Sequence, residues 1–122
     1  MVVDATTGKV VAQIANGTGV DALGWDASQK LIYIPAGGSG GTVTVVHQDS
    51  PDKYTVVETV VTVPGAKTIA VDDKKHIAYL FQPEYGPAPP PDPSAPPPAA
   101  GRGGRGGARG PMTAAWFIKV WK

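Results

Sequence analysis

The sequence predicts an all-β fold made of short antiparallel strands joined by tight turns. The apolar runs, such as residues 42–46 and 54–61, consist mainly of Val, Thr and Tyr, and β-branched and aromatic side chains favour strands. Turns rich in Asp, Gly and Lys separate these runs, as at residues 4–9. No window has the apolar spacing of an amphipathic helix. The chain is therefore expected to contain essentially no helix.

A repeat orders the predicted strands. A segment beginning at Gly19 recurs from Gly65, an offset of 46 residues, with apolar positions in step between the two copies. A period in the forties with four short strands per unit is typical of β-propeller blades. The sequence therefore predicts four-stranded antiparallel meanders of the propeller type. The matching positions are Gly19 with Gly65, Asp26 with Asp72, and Tyr33 with Tyr79.

The repeat divides the chain, taken as one β-propeller-like unit, into roughly two blades cut out of phase. Residues 1–18 supply the third and fourth strands of a preceding blade, residues 19–63 form a full blade, and residues 64–122 form a last blade without its fourth strand. The expected strands of the full blade, A to D, are 21–25, 31–35, 42–47 and 54–61. Those of the last blade are 68–71, 77–81 and 114–121, and those of the first are 1–4 and 9–15.

A long insertion interrupts the last blade between its second and third strands, at residues 83–111. Its first half is rich in Pro, which favours extended polyproline II structure, and its second half alternates Gly and Arg. Such a composition buries little apolar surface, so we expect this Pro/Gly/Arg-rich B–C loop to be the least regular part of the chain.

The residues that carry the repeat also resemble a known family. Residues 4–11 read Asp-Ala-Thr-Thr-Gly-Lys-Val-Val, residues 19–22 read Gly-Val-Asp-Ala, and an Asp turn at Asp26 leads into an apolar strand that ends in a Gly-rich loop. This pattern is similar to the YVTN-type propeller repeats of the YncE-like family. The resemblance implies a parent propeller of about seven blades, often exported in bacteria, which would place the chain in the periplasm or outside the cell.

Composition excludes several functional classes. The formal net charge is +1 and there is no cysteine, so neither a strong global field nor a thiolate metal site is present. No apolar stretch is long enough to span a bilayer. His47 and His76 are the only histidines, and both lie beside charged turns, so we interpret them as solvated turn residues. A metal site formed by His76 with Asp72 and Asp73 is the less favoured alternative, because it needs two or three convergent ligands. We assign no catalytic, cofactor-binding or metal residue.

Blade geometry predicts which loops meet. The D–A and B–C connections lie on one face of a propeller, so residues 16–19, 36–41 and 64–65 should gather there with the insertion. The charged turns, which include Asp26 and residues 72–75, should gather on the other face. The glycine run 37–41 lacks the Lys-Ser/Thr of a phosphate loop and precedes a strand, so we interpret it as a B–C loop.

Two sets of residues are candidates for binding. Arginines spaced by glycine can bind a nucleic acid or another anionic partner, and the start of the insertion could line a ligand site. These candidates are Arg102, Arg105, Arg109, Glu84 and Tyr85.

The second set concerns self-assembly. The last blade lacks its fourth strand, and the first residues could supply that strand to another copy, which would make a homo-oligomeric ring or a filament. The candidate assembly residues are Val10, Val11, Ile14, Trp116, Phe117, Ile118 and Trp121. The sequence therefore favours a non-enzymatic binding or self-assembly module. A fragment of a propeller lactonase or hydrolase, and a nucleic-acid-associated module acting through the Arg/Gly segment, are the alternatives.

Overall fold

A computed structural model describes residues 1–38, 40–90 and 110–121 of the chain, excluding the side chains of Lys67 and Trp121. The described residues form strands and turns without a helix, so the all-β prediction is confirmed, and none of them forms a helix that could cross a membrane. The strands are β1 (Val2–Val3), β2 (Val10–Ala12), β3 (Gly24–Asp26), β4 (Leu31–Ala36), β5 (Thr42–Ser50), β6 (Lys53–Val61), β7 (Lys67–Asp72), β8 (Ile77–Tyr85) and β9 (Met112–Trp121).

The strands form three sheets that follow the order of the chain. β1 pairs with β2, β3 to β6 form a four-stranded meander in the order β3-β4-β5-β6, and β7 to β9 form a three-stranded sheet in the order β7-β8-β9. The pairings of β1 with β2, of the four-stranded sheet and of β7 with β8 are antiparallel. The expected division into two, four and three strands is therefore present.

Several expected boundaries are wrong. The first strand of the four-stranded sheet begins at Gly24 rather than at residue 21, because Val20 makes only an isolated bridge to Ala36. β2 covers three residues of the expected range 9–15. The turn expected at residues 47–53 is shorter, since β5 and β6 remain paired as far as Ser50 and Lys53.

The insertion is shorter at its start than expected, because its first three residues, from Pro83, continue strand β8. Strand β9 begins at Met112, two residues earlier than expected and directly after the predicted end of the insertion. Residues 91–109, on which the expectation of an irregular loop mainly rests, lie outside the described residues. Residues 83–115 form a compact unit of their own, distinct from the unit formed by residues 1–82 and 116–122.

The 46-residue repeat holds at the level of backbone geometry. In the first hairpin Gly24 pairs with Tyr33 and Asp26 with Leu31; in the second, Ala70 pairs with Tyr79 and Asp72 with Ile77. All three residue pairs of the first hairpin thus recur in the second hairpin, 46 positions later. Positive φ angles recur at the same offset, in Gly19 (73°) and Gly65 (86°) and in Lys30 (52°) and His76 (56°).

Hairpin turns of one design explain this regularity. The carboxylate of Asp26 accepts hydrogen bonds from the backbone N–H groups of Ser28 and Gln29, and Asp72 accepts the equivalent pair from Lys74 and Lys75. Asp4 closes the turn between β1 and β2 in the same way, through Thr6 and Thr7. Aspartate stabilises such turns because its short side chain reaches the N–H groups two and three residues ahead.

The hydrophobic core lies between the four-stranded and three-stranded sheets. Leu31 and Tyr33 alternate along β4 with the half-buried Ile32 and Ile34, so one face of this strand points into the core. The close approach of the two sheets requires a glycine at Gly24, because a Cβ atom there would lie 2.5 Å from Cγ2 of Val71. The buried members of the core are Leu31, Tyr33, Val43, Val45, Ala66, Ala78, Leu80 and Val120.

Candidate functional site

An open apolar groove lies on the opposite face of the four-stranded sheet. It has a volume of about 500 Å³, and Ile32 and Ile34 of β4 line it. Val20 and Leu23 line it as well and are 41% and 65% exposed, which is unusual for large aliphatic side chains. Residues of β1 and the half-buried Ile14 contribute further lining. The predicted assembly residue Ile14 thus faces this groove, although it lies beyond the end of β2.

The hairpin of β1 and β2 leaves this groove open. β2 contacts β6, the last strand of the four-stranded sheet, whereas β1 forms part of the groove lining together with residues of β4 and of the segment that leads into β3. Of the predicted donor residues, Val10 is 49% exposed and Val11 is half-buried. The first residues therefore border the groove without filling it.

Strand β9 presents aromatic side chains at the other end of the fold. Phe117 is 72% exposed, and its ring centroid lies 5.9 Å from that of Phe81 on β8. Next to them, the Nζ atom of Lys119 lies 6.0 Å from the ring centroid of Tyr79. These four residues form the outer face of the three-stranded sheet, opposite to the face that enters the core.

The remaining assembly candidates divide between the two faces of β9. Ile118 packs against the core beside the buried Val120, as alternation predicts. Alternation places Trp116 on the same face of the strand, and 57% of this side chain is exposed. Trp121 ends the strand, and its side chain is outside the described part of the structure.

The candidate partner-binding residues are not brought together as a site within the described residues. Glu84 and Tyr85 end strand β8, and Thr113 Oγ1 donates a hydrogen bond to the backbone carbonyl of Glu84 at 3.4 Å. The arginines of the predicted anionic-partner segment, Arg102, Arg105 and Arg109, lie outside the described residues.

A buried polar cluster connects the hairpin turns of the two larger sheets. The Asp26 side chain is fully buried, and His76 Nδ1 donates a hydrogen bond to its Oδ2 atom at 2.7 Å. Ser28 Oγ donates to the other carboxylate oxygen, also at 2.7 Å. Tyr33 is buried nearby, and its hydroxyl has no hydrogen-bond partner among the residues that the structure describes. The sequence alone predicts a solvated turn residue at His76 and does not indicate this pairing with Asp26 across the sheets.

The environment of Asp26 favours the carboxylate form. Burial acts to raise the pKa of Asp26, but hydrogen bonds from His76, Ser28 and Gln29 outweigh it and lower the pKa to about 2. The same charge has the opposite effect on a neighbour: burial, together with the negative charge of Asp26, raises the pKa of Tyr33. The cluster therefore holds a buried negative charge with a histidine as its partner.

This cluster lacks the geometry of a hydrolytic triad. In a triad the carboxylate contacts one ring nitrogen of the histidine and the serine contacts the other. Here Ser28 Oγ donates to the carboxylate and lies 3.5 Å from Nδ1 of His76, the nitrogen that already binds Asp26. The arrangement orients a turn, and the Ser28 hydroxyl directs its proton to the carboxylate rather than to a histidine nitrogen. Among the described residues, no three His, Asp or Glu side chains form a group that could hold a metal ion.

The glycine-rich loops meet as the blade geometry predicts. Gly38 N–H donates to the carbonyl of Thr18 at 2.8 Å, and Gly65 N–H donates to the carbonyl of Gly37 at 2.9 Å. Side chains would obstruct these contacts, since a Cβ atom at Gly38 would overlap Thr18. The segment 37–38 therefore serves as a packing point between connections, in agreement with its interpretation as a B–C loop.

Comparison with known proteins adds no relative: no family model, no curated protein and no solved structure matches the chain.

Proposed function

We propose that the chain is a non-enzymatic β-propeller module that binds other copies of itself and completes its unfinished blade by strand exchange, forming a ring or a filament. The observation that carries this proposal is the sequence of sheets with two, four and three strands. Four strands form the middle sheet, whereas the described residues supply two strands to the first sheet and three to the last.

The two incomplete sheets are complementary in strand position. β9 corresponds to the third strand of a unit, and the described residues provide no fourth strand next to it. β2 corresponds to a fourth strand and contacts β6, which is the fourth strand of the complete unit. Unpaired backbone groups at a strand edge readily accept another strand. Strand β2 of one copy is therefore suited to pair with β9 of another.

The exchange displaces one strand. β1 and β9 both correspond to the third strand of a unit, so β2 cannot pair with both on the same edge. In the proposed assembly β2 leaves β1 and pairs with β9 of the neighbouring copy. The lost pairing is small, since β1 has two residues and a register shift interrupts its ladder with β2. β9, with ten residues, offers a longer partner.

The test is the mass of the full chain in solution, measured by light scattering at tens of micromolar, for the wild type and for Val11→Pro. Proline removes a backbone donor and is poorly tolerated inside a sheet, so we expect the variant to lose the oligomer. Val11→Thr, which keeps the donor and a β-branched side chain, is the control and should retain it. A monomeric wild type, or an oligomer that persists in Val11→Pro, contradicts strand exchange.

A further inference from the structure

We infer that a second copy docks face to face on the apolar groove of the four-stranded sheet, through the outer face of its own three-stranded sheet. The groove face is the one around Ile32 and Ile34, and the docking face is the one around Tyr79, Phe81 and Phe117. This inference rests on the proposed self-association and names the two surfaces that meet. It concerns sheet faces, whereas strand exchange concerns sheet edges.

The argument begins from the interface that already exists within the chain. Leu31 and Tyr33 on one face of β4 pack in the same core cluster as Ala78 and Leu80 on one face of β8. This contact between the four-stranded and three-stranded sheets is the main hydrophobic interface of the fold. All four of these side chains are at most 7% exposed, so the contact is tightly closed.

The repeat places an equivalent of each side of this interface on an outer surface of the same chain. By the 46-residue offset, Ala78 and Leu80 correspond to Ile32 and Ile34 on the opposite face of β4. By the same offset Tyr33 corresponds to Tyr79 on the opposite face of β8. The groove face of β4 is thus equivalent to the buried face of β8. The outer face of β8 is likewise equivalent to the buried face of β4.

Both outer surfaces have the composition of an interface that lacks its partner. Leu23 at the groove is 65% exposed, and Phe117 at the docking face is 72% exposed. Exposed aromatic and aliphatic side chains that lie together mark surfaces for association, because their burial removes apolar area from water. A second copy provides a partner whose strands are arranged as in the internal interface.

The same docking brings the exchanging strands together. In the internal interface β7 contacts β3 and β4, so in the repeated interface its equivalent, β3 of the first copy, would contact β7 and β8 of the second copy. The third strand of that copy would then arrive where β1 now lies, beside β2. Each copy offers one groove and one docking face, so the contact is heterologous and propagates from copy to copy.

A complementation experiment on the full chain tests this inference. Leu23→Glu places a charge in the groove, and Phe117→Glu places one on the docking face; both positions are exposed, so the fold should tolerate the changes. We expect each variant alone to raise the dissociation constant about tenfold or more and to behave as a 12.5 kDa monomer. Mixed in equal amounts they should form a one-to-one complex, because each retains the surface that the other lacks. Val61→Glu, also at an exposed apolar position but outside the groove lining, is the matched control and should assemble like the wild type.

The outcomes separate this inference from strand exchange. If Leu23→Glu and Phe117→Glu assemble as well as the wild type, or fail to complement each other when mixed, the face-to-face contact is refuted. If they complement while Val11→Pro still assembles, docking stands and strand exchange is wrong. If Val11→Pro prevents assembly but Leu23→Glu and Phe117→Glu do not, strand exchange stands and docking is wrong. A wild type that remains monomeric refutes both.

Discussion

His76 Nδ1 donates a 2.7 Å hydrogen bond to Oδ2 of Asp26, a residue 50 positions earlier in the chain. The two residues belong to hairpin turns of the same design in neighbouring sheets, so the bond joins one repeat unit to the next. The Asp26 carboxylate is fully buried, and a buried carboxylate is stable only with such partners. Asp26 therefore stabilises its own turn, as aspartate does in each repeat, and also links the two sheets.

Replacement of Asp26 by Asn should therefore destabilise the fold more than the same change at its repeat equivalent. Asp26→Asn removes the charge that binds His76 and should lower the free energy of unfolding by about 1–3 kcal/mol. Asp72→Asn is the matched control, because its carboxylate caps an equivalent turn and is 32% exposed; we expect a loss of about 0.5 kcal/mol there. Urea denaturation measures both values, and equal losses would mean that the link to His76 contributes nothing.

The stability of the fold should depend on acid through Asp26. Its pKa is about 2 in the folded protein against an ordinary value of 3.8, so the contribution is complete above the ordinary value and is lost as pH falls from about 4 to about 2. Asp4 and Asp49, whose pKa values are also lowered by hydrogen bonds, add to this slope in every variant. The difference between wild type and Asp26→Asn isolates the effect: it should shrink as pH falls through this window. A constant difference between pH 5 and pH 2 would falsify the assignment.

The repeat made the hairpins predictable from the sequence, but the link between them was harder to foresee. Turn residues such as Asp26 and Asp72 act locally, so their spacing fixed the hairpins and their register. The partner of His76 depends on how two sheets pack, which local patterns do not encode. The sequence signal for this contact is the repeat. His76 is the repeat equivalent of Lys30, and in the structure it lies beside the turn of the other repeat unit, which begins at Asp26.

Gly24 should be intolerant of a side chain because β7 passes close to it. A Cβ atom at this position would lie 2.5 Å from Cγ2 of Val71, so Gly24→Ala should lower the free energy of unfolding by about 1–3 kcal/mol. The double variant Gly24→Ala with Val71→Ala removes the obstructing methyl group and should lose less than the sum of the single changes. Thermal or urea unfolding of the four proteins in this cycle measures the coupling, and strict additivity would show that the two residues do not obstruct each other.

The faces of strand β9 were predictable from the sequence, whereas the apolar groove was not. Alternation along β9 correctly placed Ile118 and Val120 in the core, because the period of a strand is independent of its surroundings. Alternation gives the face of Trp116 but not its degree of burial, and 57% of this side chain is exposed. The groove was not anticipated, because it results from how little of the four-stranded sheet the short hairpin of β1 and β2 covers.

Lys30 and His76 both have a left-handed backbone conformation. A comparison of glycine variants at these two positions therefore measures how much the hydrogen bond between Asp26 and His76 contributes to stability. Both have positive φ angles, 52° and 56°, at equivalent positions of two hairpins, and glycine relieves the strain of this conformation. Lys30→Gly should therefore raise the free energy of unfolding by about 0.5–1 kcal/mol. His76→Gly gains the same relief but leaves the buried Asp26 carboxylate without its histidine, so we expect a net loss and a difference between the two variants of about 1–3 kcal/mol. Urea denaturation near neutral pH gives this difference directly, with circular dichroism to verify that both variants keep their strands. If His76→Gly were as stabilising as Lys30→Gly, the bond between Asp26 and His76 would contribute nothing to joining the two repeats.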